Sequence, residues 1–215
     1  MTTKKRMNEE GPRVIILDFD GTIVDSFPIF ISCVNMLSAE FGYQKMGSCS
    51  ELREKTAREI LNAQIGLSEP RLSEWVERFK ALLQLNMREA ATFRGMREVL
   101  TELYLHYRIG IVTSNTEEMV RHILKRDGIE ADFIFSEAPL YRKDKSFKEI
   151  LCQQGLAPDE TIYIGDEAKD VDACRKIGMK IIGVCWGFDS KDILERKSPD
   201  YLVESPEELL KLLVP

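Results

Sequence analysis

The stretch Arg13-Val-Ile-Ile-Leu-Asp-Phe-Asp-Gly-Thr22 decides the fold. It opens as a short apolar run, rich in β-branched residues and without polar alternation, which reads as a strand covered on both faces, as in a parallel sheet. It ends abruptly in a polar turn, Asp18 to Thr22, with Gly21 inside it. Runs of the same kind recur at residues 107–113, 161–165 and 180–184, and weaker ones at 132–135 and 201–203. Between them lie patterns with apolar residues three or four apart, at 96–104, 116–126, 147–154 and 168–177, which predict helices. Ser205, Pro206 and the acids that follow read as the start of a last packed helix. Strands alternating with helices of this length predict βαβ units, hence an α/β fold with a doubly wound, Rossmann-like parallel sheet.

One stretch breaks the alternation. Residues 25–92 carry no convincing strand, and 27–41, 51–65 and 71–90 read as helices punctuated by Gly42, Gly47, Gly66 and Pro70. The expected organisation is a polar tail over 1–12, a core made of 13–24 and 93–215, and a small all-helical cap over 25–92, inserted after the first strand.

Composition narrows the function. The chain has 215 residues, 44% of them hydrophobic and 31% charged, with a formal net charge of -6. That balance argues against a nucleic-acid backbone or an anionic membrane as partner, since both attract basic faces. It is compatible with a small anionic substrate, because a metal ion and a few local cations can reverse the sign inside one cleft. The five cysteines are widely spaced with no CxxC pair, so neither a disulfide framework nor a zinc site is expected. The first ten residues lack the apolar stretch of a signal peptide, and no run approaches the length of a membrane span, so a cytoplasmic protein is expected.

In an open parallel sheet, ligands bind beyond the carboxyl ends of the strands. Three of the strong strands end in reactive polar residues: Asp18 and Asp20, then Thr113 to Asn115, then Asp166 and Glu167. If the strands are parallel, Asp18, Asp20 and Asp166 come together. Clustered carboxylates repel one another unless a cation neutralises them, and hard oxygen ligands of this kind suit Mg²⁺. Such a site also suits phosphoryl transfer.

Asp18-Phe-Asp-Gly-Thr22 resembles the first motif of the haloacid dehalogenase-like hydrolases, Thr113 their second, and Gly165-Asp-Glu-Ala-Lys-Asp170 their fourth. The resemblance runs from about residue 14 to about residue 213, and the insert resembles the cap of the phosphoglycolate phosphatase-like subgroup. It implies a Mg²⁺-dependent phosphatase acting on a small phosphorylated metabolite. Asp18 would attack phosphorus, and Asp20 would protonate the leaving oxygen and then activate water. Asp18, the backbone carbonyl of Asp20, and Asp166 would hold Mg²⁺, with Asp170 supporting the metal shell. Gly21, Thr22, Thr113, Ser114, Asn115 and a lysine would receive the phosphoryl oxygens. That lysine is where this sequence departs from the subgroup, which commonly has Lys-Pro. Here Tyr141-Arg-Lys-Asp-Lys-Ser146 has no proline. Lys143 stands nearest the expected place, and Lys145 is its rival.

Arg53, Lys55 and Arg58, in the insert, could meet the remote end of an anionic substrate, although a solvated helix face explains them equally simply. His106, His122, Trp186 and Phe188 read as surface or packing residues, and Glu167 as a first-turn helix acid. Ser114 lacks the GxSxG elbow of serine hydrolases. The competing functions are a phosphoglucomutase-like isomerase, which would share Asp18 and Asp20, a carbon–halogen dehalogenase, which would not need Asp20, and a non-catalytic phosphate-binding protein. Monomer and homodimer are both open.

Overall fold

The structure, a computed structural model, describes residues 12–47, 52, 59, 66–136 and 143–214. Six strands form one sheet in the order β3-β2-β1-β4-β5-β6, with every neighbouring pair parallel. They are β1 Val14–Asp18, β2 Arg108–Val112, β3 Phe133–Phe135, β4 Thr161–Gly165, β5 Lys180–Val184 and β6 Tyr201–Val203. The stretch quoted first is the central strand, and all five of its residues are buried. Its alternate side chains enter different layers. Ile15 and Leu17 join one apolar cluster with Leu100, Leu103, Val120, Ile123 and Leu209, while Val14 and Ile16 join another with Phe147, Ile150, Val171 and Cys174. This two-sided burial is why the strand has no polar alternation.

The described helices are α1 Phe27–Phe41, α2 Arg71–Asn86, α3 Met96–Tyr104, α4 Glu117–Asp127, α5 Lys143–Gln154, α6 Ala168–Ile177, α7 Lys191–Lys197 and α8 Pro206–Leu213. Their ends follow the sequence. The side chains of Thr116 and Ser205 cap α4 and α8 by accepting from the amides of Met119 and Glu208. Gly128, at φ 64°, and Gly178, at φ 72°, stop α4 and α6 in the left-handed region. Two elements differ from expectation. α5 begins at Lys143, not at residue 147, because its first turn buries Lys143 against Asp18 and Asp170, buries Ser146 as well, and shows no apolar periodicity. α7 was not expected at all: with only 7 residues and two buried apolar positions, it gives almost no periodic signal.

Within residues 25–92, α1 and α2 pack on each other around an apolar cluster that includes Phe27, Phe30, Val34, Leu37 and Trp75 and is joined by Phe188 from the core. The helix expected at 71–90 is α2 followed by a single 3₁₀ turn, Met87–Glu89. Most of the helix expected at 51–65, with Arg53, Lys55 and Arg58, lies outside the described residues. The chain leaves and re-enters the core side by side: the Asp25 amide donates to Ala91 O at 2.8 Å and the Phe93 amide to Ile23 O at 3.0 Å, while Val24 bridges to Thr92. No helix among the described residues is long and apolar enough to cross a membrane.

Candidate active site

Strand register brings the polar ends level. Asp18 pairs with Val112 and Leu17 with Ile164, so Thr113 and Asp166 leave β2 and β4 on either side of Asp18. The carboxylates that converge are Asp18, Asp166 and Asp170. All three are buried, and each can place an oxygen within 4.8 Å of the others'. The Asp20 side chain, expected beside Asp18 and Asp166, is not in this group, and Asp170, expected to support the metal shell, is. The chain turns immediately after β1, so the Asp20 carboxylate swings toward β2, where it accepts from Asn115 Nδ2 at 2.6 Å. Asp170 enters instead because it stands in the first turn of α6, behind the Asp166 loop.

Asp18 Oδ1 accepts from the Phe19 amide at 2.9 Å, and its Oδ2 is in contact with Lys143 Nζ. The Lys143 ammonium also lies 2.7 Å from Asp170 Oδ1 and donates to the Tyr163 hydroxyl at 3.2 Å. Burial works against its charge, but Asp170 and Asp18 outweigh burial and hold its pKa above the ordinary lysine range. Lys145 is exposed. The lysine on Asp18 is therefore Lys143.

Asp166 is held at both oxygens. Thr22 Oγ1 donates to Oδ1 at 2.9 Å, and the Phe188 amide donates to Oδ2 at 2.7 Å. Gly21 passes so close, at φ 74°, that a Cβ there would meet Asp166 Oδ2 at 2.1 Å. Thr22 thus has its hydroxyl proton engaged by a carboxylate, and the expectation that it would face a phosphoryl oxygen gives way to one in which it orients Asp166. Asn115 likewise divides its side-chain amide between Asp20 and Thr113 Oγ1, the latter at 3.2 Å, and so orients Asp20. Thr113 is buried. Its oxygen accepts from Asn115 N at 3.0 Å and from the same residue's side chain, which leaves the hydroxyl proton to donate. Ser114 is exposed at the rim.

The donor set fits a hard divalent cation. Neither oxygen of Asp170 accepts a directed hydrogen bond, although both are buried. Burial first, and neighbouring carboxylates after it, push Asp166 far above the usual carboxylate range. Asp170 is pushed up to about 7 by burial, even with Lys143 opposing the shift. Without a cation such a group is costly to ionise, and a small ion with a high charge density removes that cost.

Three features escape sequence reasoning. Tyr163, in the middle of an apolar strand, reads as core, and only its contact with Lys143 gives the hydroxyl a purpose. Asp189, buried and raised to about 6 by desolvation, accepts from the Ala168 amide at 2.7 Å and caps α6 from outside. Phe188 does pack as expected, but its amide is on Asp166. Glu167, read as a helix acid, stands at the N-cap of α6 and pairs with Lys169 at 2.6 Å.

Comparison with known proteins follows the same lines. The family model described as haloacid dehalogenase-like hydrolase matches residues 15–184. A phosphoglycolate phosphatase of Synechococcus elongatus is 30% identical over 204 residues, covering 93% of this chain and 96% of its own. Another, from Xanthomonas campestris, is 28% identical over 214 residues, covering 92% and 95%. Among solved structures, the haloacid dehalogenase-like family protein SP0104 of Streptococcus pneumoniae superposes with a TM-score of 0.78 at 25% identity, covering 93% of this chain and 97% of its own.

Proposed function

The chain belongs to the haloacid dehalogenase-like hydrolases and is a phosphoric monoester hydrolase, and from that premise we propose that it removes phosphate from a small phosphomonoester of the phosphoglycolate kind, with Mg²⁺ bound and Asp18 as nucleophile. One observation carries this reading. Asp18 and Asp20 stand two residues apart in opposite surroundings. Asp18 lies against the Lys143 ammonium, while Asp20, with burial as the main cause and Asp18 second, is pushed up to about 6. Two carboxyl groups whose environments separate their roles are the mark of a nucleophile beside a general acid.

The steps follow from those placements. An Asp18 oxygen attacks phosphorus as the ester P–O bond breaks, and the leaving oxygen takes the proton of Asp20. Asp20, now a carboxylate held by Asn115, removes a proton from water. The resulting hydroxide attacks phosphorus, the bond to Asp18 breaks, and inorganic phosphate leaves with Asp20 reprotonated. Lys143 and the Thr113 hydroxyl face the charge carried by the phosphoryl oxygens. Asp18, Asp166 and the backbone carbonyl of Asp20 would hold Mg²⁺, supported by Asp170. Bound there, the ion supplies charge neutralisation of the phosphoryl group.

Residues 25–92 would act as a cap hinged on the paired connections at 23–25 and 91–93. Closure over the aspartyl-phosphate would exclude bulk water. Arg53, Lys55 and Arg58 are candidates for the substrate's remote end. A phosphate-release screen over phosphorylated metabolites with Mg²⁺ tests the assignment. Release from a small phosphorylated carboxylic acid, lost in Asp18→Asn, is expected. Isomer formation without phosphate release, or turnover unaffected by Asp18→Asn, would contradict it.

A further inference from the structure

Four consecutive residues after β5 form a strap that the chemical steps above do not use. Trp186 donates its indole N–H to Thr22 O at 3.1 Å. Gly187 lies so near Asp166 that a Cβ built on it would sit 2.2 Å from the carboxylate. The Phe188 amide is on Asp166 Oδ2, and the Asp189 carboxylate is on the Ala168 amide. The Phe188 side chain, however, leaves the core. Its ring meets Phe27 edge-on at 5.0 Å and Phe30 at 5.7 Å, both on α1, and it is counted in the apolar cluster of the insert. A single residue therefore has its amide on a carboxylate of the site and its ring in the insert.

We propose that Phe188 is a positioning residue that couples the seating of α1 to the orientation of Asp166, so that loosening α1 from the core weakens the cation site. The link is short and stiff. Ring and amide share one Cα, and Gly187, without a side chain, lets the backbone lie directly on Asp166, so a shift of the ring has no slack to absorb it. Moving α1 away either exposes the Phe188 ring or draws it along, and drawing it along turns the amide off Oδ2. A carboxylate that loses such an outer partner holds its cation less well. The coupling is reciprocal: a bound cation fixes Asp166 and its amide partner, and so favours the seated position of α1. The proposal rests on the reading that Asp166 holds the cation.

The test is direct binding of Mn²⁺ to the full chain, followed by the electron paramagnetic resonance signal of free Mn²⁺. Asp166→Asn examines the premise and should abolish binding. Wild-type affinity in that variant would overturn the reading of Asp166, and with it the proposal. Phe188→Ala should weaken binding about tenfold, and Phe188→Leu, which restores apolar bulk, should recover most of it. Phe27→Ala, whose side chain belongs to the insert, should weaken binding at least about threefold. Leu37→Ala, further along α1 in the same cluster, should leave the affinity unchanged. Wild-type affinity in Phe27→Ala and Phe188→Ala alike, with binding lost in Asp166→Asn, would overturn the coupling while leaving the cation site in place. Equal losses in Phe27→Ala and Leu37→Ala would overturn it too, since they would show general loosening of the insert. If Phe188→Ala does not fold, Phe27→Ala decides.

Discussion

Replacing Lys143 with methionine should separate the electrostatics of this site from its fold. Methionine keeps much of the stem and removes the ammonium that touches Asp18 and lies 2.7 Å from Asp170 Oδ1. Only 9% of the lysine side chain is exposed, so solvent cannot replace the lost charge. Breaking a buried ion pair from one side typically costs about 3–5 kcal/mol. Here part of that cost is relieved by proton uptake at Asp170, whose pKa already stands at about 7. A net loss of about 3 kcal/mol, at about 2–4 °C per kcal/mol for a chain of this size, predicts a Tm lower by roughly 6–12 °C in EDTA. Mg²⁺ should return much of that loss, because the ion can take the place of the missing ammonium, and of the proton on Asp170, in neutralising the buried carboxylates. Turnover should nonetheless fall about 10²–10³-fold at saturating Mg²⁺, the usual cost of one preorganised charge facing the transition state. Lys145→Met, at an exposed position of the same helix, should stay within about 0.5 kcal/mol of wild type and remain active. Calorimetric scans with and without Mg²⁺, beside steady-state rates, read both quantities. Near-wild-type turnover in Lys143→Met, or a Tm deficit that Mg²⁺ does not reduce, would refute the reasoning.

Two further outcomes follow from the raised carboxyl groups. The acid form of Asp20 protonates the leaving group, so kcat/KM for an alkyl phosphate should fall as pH rises through the pKa of Asp20, while an aryl phosphate with a good leaving group should show little of that fall; the Asn115 hydrogen bond lowers this pKa, so Asn115→Ala should move the falling limb to higher pH, and an unmoved limb would detach Asp20 from the acid role. Asp20, Asp170 and Asp189 have folded pKa values of about 6, 7 and 6, above the ordinary carboxylate value, so the stability they contribute is fully present below about pH 4 and lost as pH rises through 6 to 7. In EDTA the Tm should accordingly fall between pH 5 and pH 8, and Asp170→Asn should flatten that fall; an equal slope in the variant would exclude Asp170 as its source.

Much of this was legible in the sequence because the informative signals are local. A run such as Val-Ile-Ile-Leu before Asp18 can be buried on both faces only in a sheet covered on both sides, and glycine between Asp20 and Thr22 marks the turn that exposes the strand end. What escaped depends on contacts made far along the chain. Tyr163 looks like any core residue until Lys143, 20 positions away, reaches its hydroxyl. Thr22 looks like a phosphate ligand until Asp166, 144 positions away, takes its proton. α5 hides its first turn because Lys143 is buried by charge pairing, which no hydrophobic pattern records. Asp170 was legible at the site as the last acid of Gly165-Asp-Glu-Ala-Lys-Asp170, but how close its carboxylate comes to Asp18 depends on the first turn of α6 packing behind the Asp166 loop.

The central claim is that Asp18 carries the phosphoryl group. It is tested most directly by mixing Asp20→Asn with Mg²⁺ and an aryl phosphate, quenching in acid, and mapping the modified peptide by mass spectrometry. The good leaving group needs no acid, while the missing base delays water attack, so the intermediate should accumulate. The account predicts one added phosphoryl group on Asp18, labile to hydroxylamine and missing when Asp18→Asn is added to the same chain. A burst of aryl alcohol with no phosphorylated Asp18, or the phosphoryl group on another side chain, would contradict it.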